Sequence, residues 1–502
     1  MLGYLQIKTL AEKMALNRLS DKTRLFLVYF LSFCFIVLNS FLIYKEFYWG
    51  AAIPLFLIIA WFFLFAFDKI ILLIIFLTPL SVELLNHELN AGISLPVEPL
   101  MLGALVLFFL KVLFDHGYDK KVLKHSVSVF IIAGLIWMFI ATLTSQMFLV
   151  SAKAFLSRLW FVIPMYFVGI MLFKDYRNIK KFFWLYAISL LIVIGYTTFR
   201  HYTYGFGEKA GTWVMKPFYN DHTAYGAVMS MFIPVFLGFS LLRNYKPWIR
   251  FAAFLVAIVM VMALIFSFSR AAWLSVVVAF GVFIIIIFRI KFRWLLISAI
   301  VLVSVFFTFR FEIIDHLSKN KQDSSADFVE HVQSIANISS DASNLERINR
   351  WQSAIRMFKE RPVFGFGPGT YQFLYAPYQR SKERTIISTN FGDVGNAHSE
   401  YIGPMAESGL LGMLTFVALA ITLIYTGLKV YKRSNIREIR IISLSVTLGL
   451  ITYLAHGFLN NFLNTEKLSV PFWGFTAIIV ALDLYHSRKP KDQIPINQTD
   501  KI

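Results

Sequence analysis

Residues 251–288 read FAAFLVAIVMVMALIFSFSRAAWLSVVVAFGVFIIIIF, and Arg270 is the single charged residue among them. A helix needs about 20 apolar residues to cross the hydrocarbon core of a bilayer. The runs 251–268 and 271–288 each come close to that length. We therefore predict two membrane-spanning helices, with Arg270 in the short turn that joins them.

The rest of the chain is similarly apolar. Of its 502 residues, 58% are hydrophobic and only 15% are charged, whereas soluble domains carry about 25% charged residues. The length criterion predicts fourteen spans, namely 25–44, 51–66, 70–84, 98–113, 127–148, 155–173, 182–199, 223–242, 251–268, 271–288, 294–309, 409–428, 441–457 and 468–486. Twelve or thirteen remain possible, because only Asp68 and Lys69 separate two short runs. The predicted fold is an all-α, polytopic transmembrane bundle of about 12–14 helices.

Basic residues predict the orientation, because cytoplasmic loops of membrane proteins are enriched in Lys and Arg. With fourteen spans, every basic segment falls on one side: Arg18 to Arg24, Lys120 to Lys124, Lys174 to Lys181, Arg243 to Arg250, Arg289 to Arg293, Lys429 to Arg440 and Arg488 to Lys491. Both termini are then cytoplasmic. The predicted organisation is a cytoplasmic segment 1–24, helices one to eleven in 25–310, a large external loop 311–408, helices twelve to fourteen in 409–486, and a cytoplasmic tail 487–502.

Several functional classes are disfavoured. A net charge of +19 would suggest nucleic acid in a soluble protein, but here the charge lies in short loops between spans, so we predict no nucleic-acid partner. The single cysteine, Cys34, excludes a disulfide framework within the chain. The histidines lack metal-ligand spacing, so no metal site and no cofactor are predicted. The glycines of Gly365 to Gly369 follow a helical pattern and lack a Lys-Ser/Thr pair, which indicates a turn instead of a phosphate loop.

Charges on the predicted external side form the candidate site. Arg270 keeps its proton, so it needs an anion, water or a lipid headgroup as a partner. Lys153 and Arg158 begin a span on the same side, where orientation alone disfavours cations. Asp221 and His222 precede another span. The alternatives are snorkelling cations for the three basic residues and a solvated loop for the other two.

The large loop adds a helix and a histidine motif. Apolar residues at helical spacing predict an amphipathic helix over 345–359, which also carries Arg347 and Arg350. The motif is Asn396-Ala-His398-Ser399-Glu400-Tyr401, followed by Gly409-x-x-Gly412. A neutral imidazole accepts a proton from a hydroxyl at physiological pH, although a structural role for a lone histidine is the alternative.

Two of these patterns together, Arg270-x-x-x-Leu274 and His398-Ser399 with Gly409-x-x-Gly412, resemble the signature of the bacterial O-antigen ligase family. That superfamily also includes O-antigen polymerases and protein-glycosylating oligosaccharyltransferases. The resemblance spans roughly residues 215–430. The chain departs from the family in its span count, since family ligases are usually described with twelve.

The resemblance implies a metal-independent, inverting glycosyltransferase of the bacterial inner membrane, with an undecaprenyl (polyprenyl) diphosphate-linked glycan as donor. The acceptor would be lipid A-core or another glycan, the active site would face the periplasm, and membrane lipids would surround the bundle. Arg270 and His398 would be catalytic. The other expected roles are diphosphate binding for Arg158, Lys153, Arg347 and Arg350, and support from Glu400, Ser399, Asp221 and His222.

Three alternatives to ligation of O-antigen stay open. Polymerisation of lipid-linked repeat units uses the same donor chemistry and differs only in the acceptor. Transfer to protein hydroxyls is a further possibility. A transporter or flippase would have a similar number of spans, but transport usually places charged or broken helices near the bilayer midplane, and these spans are nearly free of ionisable residues.

Overall fold

The computed structural model is a helical bundle, and it describes residues 20–86, 91–114, 118–291, 342–385 and 395–487, together with the single positions 293, 297, 304 and 388. In these ranges the helices of ten or more residues are α1 Asp21–Tyr44, α2 Ile53–Phe65, α3 Phe67–Leu77, α4 Val97–Phe114, α5 Ser126–Leu143, α6 Phe148–Leu172, α7 Tyr176–Thr203, α8 His222–Ser240, α9 Pro247–Phe266, α10 Arg270–Ile287, α11 Ala342–Glu360, α12 Ile402–Arg433, α13 Arg437–His456 and α14 Glu466–His486. One-turn helices lie at Lys120–Leu123, Glu208–Gly211 and Tyr371–Leu374.

The predicted all-α membrane fold is confirmed. Within the described residues, ten helices are long and apolar enough to cross a membrane, and α2 and most of α1 form two shorter apolar helices. The predicted loop helix over 345–359 is present as α11. The predicted span 294–309 lies outside the described residues, except for positions 297 and 304. Residues 1–19, 311–341 and 488–502 lie outside them entirely.

The predicted span 70–84 is wrong in its second half. Helix α3 ends at Leu77, and eleven residues reach only about 16 Å. Thr78-Pro79 follows, and the strands β1 Val82–Asn86 and β2 Ala91–Leu95 then pair antiparallel. The buried ammonium of Lys467 donates to the carbonyl oxygens of Thr78 (2.8 Å) and Ser81 (2.7 Å), so it satisfies backbone groups at the end of the helix.

An aromatic cluster fills the centre of the bundle, where α7, α8 and α14 meet. The rings of Tyr186 and Phe232 stack with centroids 4.5 Å apart. Phe475 packs edge-on against Phe232 and Phe183, with both centroid distances 5.2 Å. Such pairs add to the stabilisation from burial by about 1 kcal/mol each. This core fixes the frame from which the external loops extend.

Ion pairs bring three of the basic segments to one end of the bundle. Asp119 accepts from Lys174 (3.1 Å) and from the hydroxyl of Tyr485 (2.8 Å). Lys180 pairs with Glu438 at 2.6 Å, and Lys429 pairs with Asp483 at 2.8 Å. Segments 120–124, 174–181 and 429–440 therefore share an end, as the charge pattern predicts. Which compartment that end faces stays a prediction.

Candidate active site

The glycine turn docks the loop onto the start of α12. The amide of Gly367 donates to the carbonyl of Glu407 at 2.8 Å, and the amide of Leu410 donates to Pro362 at 3.0 Å. Gly409 has φ +70°, which breaks the helical path of α12, and a Cβ there would lie 1.9 Å from the carbonyl oxygen of Val363. Only glycine combines this backbone conformation with such close approach. The Gly409 segment is therefore the surface on which the loop packs.

Arg350 on α11 fixes the segment that carries the histidine. Its guanidinium is buried, donates from Nε to Glu346 (2.8 Å) and from Nη1 to the carbonyl of Asn396 (3.2 Å), and lies over the ring of Tyr375. Gly395 has φ +105°, and a Cβ at this position would lie 1.8 Å from Nη1 of Arg350. Arg350 is therefore a positioning residue for the loop.

Glu346 completes this network. Burial raises its pKa, but hydrogen bonds from Ser388, Arg350 and Thr385 outweigh burial and hold the pKa below its usual value. The carboxylate therefore stays charged beside Arg350. A buried ion pair of this kind holds a defined geometry, because separating the two groups would leave a charge uncompensated.

His398 has a left-handed backbone, with φ +48°. This conformation is uncommon for a residue with a side chain and often marks a functional position. Its amide donates to the side-chain oxygen of Asn396 at 2.9 Å, which closes a local turn. Burial, together with the charges of Arg350 and Arg347, lowers the pKa of the imidazole to about 4, and Asp221 and Glu346 oppose this shift. The ring is therefore neutral near pH 7.

Arg270 begins α10, next to the start of α8. Ser269 caps α10 by accepting the amide of Ala272 at 3.4 Å. The two helices pack closely here, since a Cβ on Gly226 would lie 3.0 Å from both Ser269 and Ala272. Asp221 caps α8 in the same way and accepts the amide of Thr223 at 2.8 Å. Helix packing thus brings the turn with Arg270 to the start of α8.

Six of the site residues predicted from the sequence come together at this end of the bundle, namely Arg270, Arg347, Arg350, Asp221, His222 and His398. Arg270 and Arg347 lie close enough to the ring of His222 for their charges to act on it. The charges of Asp221 and Arg347 also act on His398. Two stretches that are 128 residues apart, at positions 270 and 398, therefore share one electrostatic neighbourhood. The two cations beside His398, Arg347 and Arg350, make this neighbourhood attractive to an anion.

Arg158 lies in a different setting. It lines a cavity of about 130 Å³ together with Glu400, Glu407, Trp137 and Trp473. Its charge acts on both of these carboxyl groups, so its nearest acidic neighbours belong to the protein itself. A role in donor binding stays a prediction for Arg158.

Lys153 is exposed and lies near Glu98 at the start of α4. Like Arg158, it is on α6, and among the residues described it makes no hydrogen bond or ion pair with the loop that carries His398. Its predicted role in binding the diphosphate stays a prediction.

Glu400 and Ser399 have structural contacts. Glu400 Oε1 accepts from the hydroxyl of Tyr453 (2.6 Å) and the amide of Leu463 (2.9 Å), and its own amide donates to Gly457 (2.8 Å). Ser399 Oγ accepts the amides of Tyr401 and Ile402 at the start of α12. The contacts of Glu400 hold the residues that follow His398 against α13 and the turn after it, and those of Ser399 cap the start of α12.

His456, the last residue of α13, is a site residue that the sequence did not predict. Its ring is 1% exposed and lies within range of the charges of Asp221 and Arg347. A lone histidine at the end of an apolar helix carries no local signal, because only tertiary packing brings it beside Arg347. Arg347 contacts the turn that follows His456, since its Nε donates to the carbonyl of Leu459 at 3.2 Å.

Two comparisons bear on identity. Residues 255–417 match the family model described as O-antigen ligase, and this region runs from α9 to α12 and contains both Arg270 and His398. The chain is also 24% identical over 325 residues to an uncharacterized protein of Haemophilus influenzae, an alignment that covers 60% of this chain and 71% of that relative. The resemblance predicted from the two motifs is confirmed, because residues 255–417 of this multi-pass membrane protein match the O-antigen ligase family model.

Proposed function

We propose that this chain is a glycosyltransferase of the bacterial inner membrane. It moves a glycan from undecaprenyl (polyprenyl) diphosphate to an acceptor hydroxyl at the periplasmic face, with O-antigen ligation to lipid A-core as the preferred reaction. The observation that carries the proposal is the shared neighbourhood of a neutral His398, the cations Arg347 and Arg270, and Asp221. The family match over the same residues supports it.

In this proposal the cations bind the diphosphate of the donor. A glycosyl diphosphate leaves as an anion whose charge grows in the transition state, so fixed positive groups lower the barrier. A guanidinium also fits phosphate oxygens with two parallel hydrogen bonds. Arg270 holds the diphosphate and Arg347 closes over it from α11. Arginine charge serves here in place of a metal ion, and no cofactor takes part.

Donor binding would also activate His398. Burial is the largest cause of its low pKa, Arg350 and Arg347 add to it, and Arg347 is the one of these two cations that the diphosphate would neutralise. Once Arg347 is paired with phosphate, its repulsion of a proton on the imidazole weakens, and the pKa of His398 rises. The histidine then becomes a better base only when donor is present. This coupling disfavours activation of a hydroxyl in the empty enzyme.

The transfer itself is a single displacement. The acceptor oxygen forms a bond to the anomeric carbon, while the bond from that carbon to the phosphate oxygen breaks and its electron pair leaves with the diphosphate. His398 accepts the hydrogen bond and then the proton of the attacking hydroxyl. Attack from the side opposite the leaving group inverts the anomeric configuration. Positioning of the two substrates supplies much of the rate.

The topology supports the periplasmic assignment. The basic segments share the end of the bundle opposite the loop that carries His398, and the positive-inside rule makes that basic end cytoplasmic. The donor and acceptor lipids would then meet at the outer surface of the inner membrane, where lipid A-core and a translocated glycan are both accessible.

The test uses purified protein in nanodiscs with a lipid-linked glycan and lipid A-core. His398→Ala and Arg270→Ala should each reduce transfer by at least a hundredfold, and Arg270→Lys should lose most of the activity because an ammonium lacks the planar fork. Arg356→Gln is the matched control, since Arg356 lies on α11 and pairs with Glu383. Near-normal transfer by His398→Ala and Arg270→Ala would refute the assigned roles.

A deletion strain separates ligase from polymerase. A strain that lacks a ligase should accumulate the full-length glycan on the lipid carrier and lose the glycan from its surface. Accumulation of single lipid-linked repeat units would instead identify a polymerase. If the protein were a flippase, the deletion strain would keep the glycan on the cytoplasmic face, and the purified protein would transfer no sugar.

A further inference from the structure

The turn between α13 and α14 buries polar groups that have no hydrogen-bond partner among the described residues. Both ring nitrogens of His456 are in this state, as are Nδ2 of Asn460 and Oδ1 of Asn461. His456 is 1% exposed and Asn460 is 3% exposed. A buried polar group left unpaired destabilises a protein by about 1–3 kcal/mol. Several such groups in six residues therefore call for a partner that supplies hydrogen bonds.

This turn adjoins the proposed active site through direct contacts. The carbonyl of Gly457, the residue after His456, accepts the amide of Glu400, which lies two positions beyond His398. The ring of Phe458 stacks on Tyr401 with centroids 4.1 Å apart. Arg347 donates to the carbonyl of Leu459. The unpaired groups thus lie between the histidine loop and a cation proposed to bind the diphosphate.

The chemistry of these groups matches a sugar. A neutral imidazole offers one donor and one acceptor, a side-chain amide nitrogen offers two donors, and an amide oxygen accepts. Sugar hydroxyls both donate and accept, so neighbouring hydroxyl or amide substituents can pair with all of these groups. Phosphate alone offers only acceptors at neutral pH and would leave the acceptor sites unpaired.

We propose that His456, Asn460 and Asn461 form a subsite for the first sugar of the donor, the one attached to the diphosphate. The subsite rests on the proposed glycosyltransferase function, and it would make the turn between α13 and α14 a determinant of donor specificity. The first sugar is the part of the glycan nearest to Arg347, because it is bonded directly to the phosphate that Arg347 would hold.

The test measures binding by native mass spectrometry of the full chain in detergent micelles. The probes are undecaprenyl diphosphate and the lipid-linked glycan extracted from the host bacterium after deletion of this gene. Wild type should bind the glycan-linked lipid more tightly than the bare one. His456→Phe should weaken binding of the glycan-linked lipid by about tenfold and leave bare lipid within twofold. His456→Gln, which keeps hydrogen-bonding groups, should recover part of the loss.

His201→Phe is the matched control. His201 is also 1% exposed, but its Nε2 pairs with the carbonyl of Gly207 at 3.0 Å. This variant should lower the melting temperature and leave both binding constants within twofold, whereas His456→Phe should leave the melting temperature unchanged or higher.

Two outcomes overturn the subsite: equal binding of the two lipids by wild type, or a His456→Phe variant that affects both lipids equally or neither. The first would mean that internal water pairs with these groups. Failure of the proposed function has a different signature, in which wild type binds neither lipid or Arg270→Ala leaves the affinity for bare lipid unchanged.

Discussion

The low pKa of His398 makes a quantitative prediction about pH. With a pKa of about 4, the imidazole is about 97% neutral at pH 5.5. An ordinary histidine with a pKa of about 6.5 would be only about 9% neutral at that pH. We therefore expect kcat/KM for the donor to be nearly the same at pH 7.5 and pH 5.5, whereas an ordinary histidine would give a loss of about tenfold.

The assay varies the donor at saturating acceptor, with protein in nanodiscs, between pH 4.5 and 8. The pH dependence of kcat/KM reports the enzyme without donor, and that of kcat reports the complex. Because the diphosphate neutralises Arg347 near His398, the acid limb of kcat should lie about 1 pH unit above that of kcat/KM. Arg347→Gln should lower the rate and also move the kcat/KM limb upward by about one unit, since one opposing charge is gone.

Arg356→Gln is again the control, because Arg356 lies on the same helix but pairs with Glu383. Recovery of full activity after a return from pH 4.5 to 7.5 checks that acid does not unfold the protein. An acid limb of kcat/KM near pH 6.5 in wild type, or the same limb in wild type and Arg347→Gln, would refute the electrostatic coupling.

Three substitutions test the loop that holds His398. Gly395→Ala should reduce transfer by at least tenfold, which is about 1.4 kcal/mol of activation free energy, because its Cβ would displace Arg350. Gly403→Ala is the control and should stay within twofold in the same assay, because its Cβ would meet only Ala397 at 3.6 Å. Gly409→Ala should destabilise the fold by at least about 2 kcal/mol, which should appear as a lower melting temperature in detergent. Gly281→Ala is the control, because its Cβ would enter open space and should not lower the melting temperature. An unchanged melting temperature for Gly409→Ala would contradict the proposed clash with Val363. Glu400→Gln should keep transfer within about threefold, because its amide oxygen still accepts from Tyr453 and Leu463. Glu400→Ala should lower the free energy of unfolding by about 1–3 kcal/mol, because these two donors lose their acceptor. A large loss of activity in a stable Glu400→Gln variant would instead assign the carboxylate charge to catalysis.

Hydrophobicity alone predicts most of the helices, because crossing a bilayer requires long apolar runs whatever their partners. It fails at residues 78–86. There Leu84 and Leu85 extend the apolar run, but Thr78-Pro79 ends the helix and the backbone continues into a strand. The proline was visible in the sequence. The pairing of Val82 with Leu95 was not, since strand pairing depends on a partner elsewhere in the chain.

The candidate site shows the same division. The motifs identify Arg270 and His398, and helix packing brings their surroundings together. Charge patterns could not distinguish Arg347, which acts on His398, from Arg158, which faces Glu400 and Glu407, because both are cations on the same predicted side. His456 has no motif at all, and only the contact between Arg347 and Leu459 associates it with the site.

The clamps around His398 explain why its loop can carry a strained residue. A left-handed backbone at a residue with a side chain is disfavoured by about 1–2 kcal/mol. Here Arg350 holds the carbonyl of Asn396 on one side, and Gly457 holds the amide of Glu400 on the other. Each contact belongs to a different unit, α11 in the loop and the turn after α13 in the bundle. The position of the imidazole therefore depends on the loop being docked against the bundle, and a loose loop would relax the strain and move the ring. Substitutions that loosen either clamp should accordingly lower kcat.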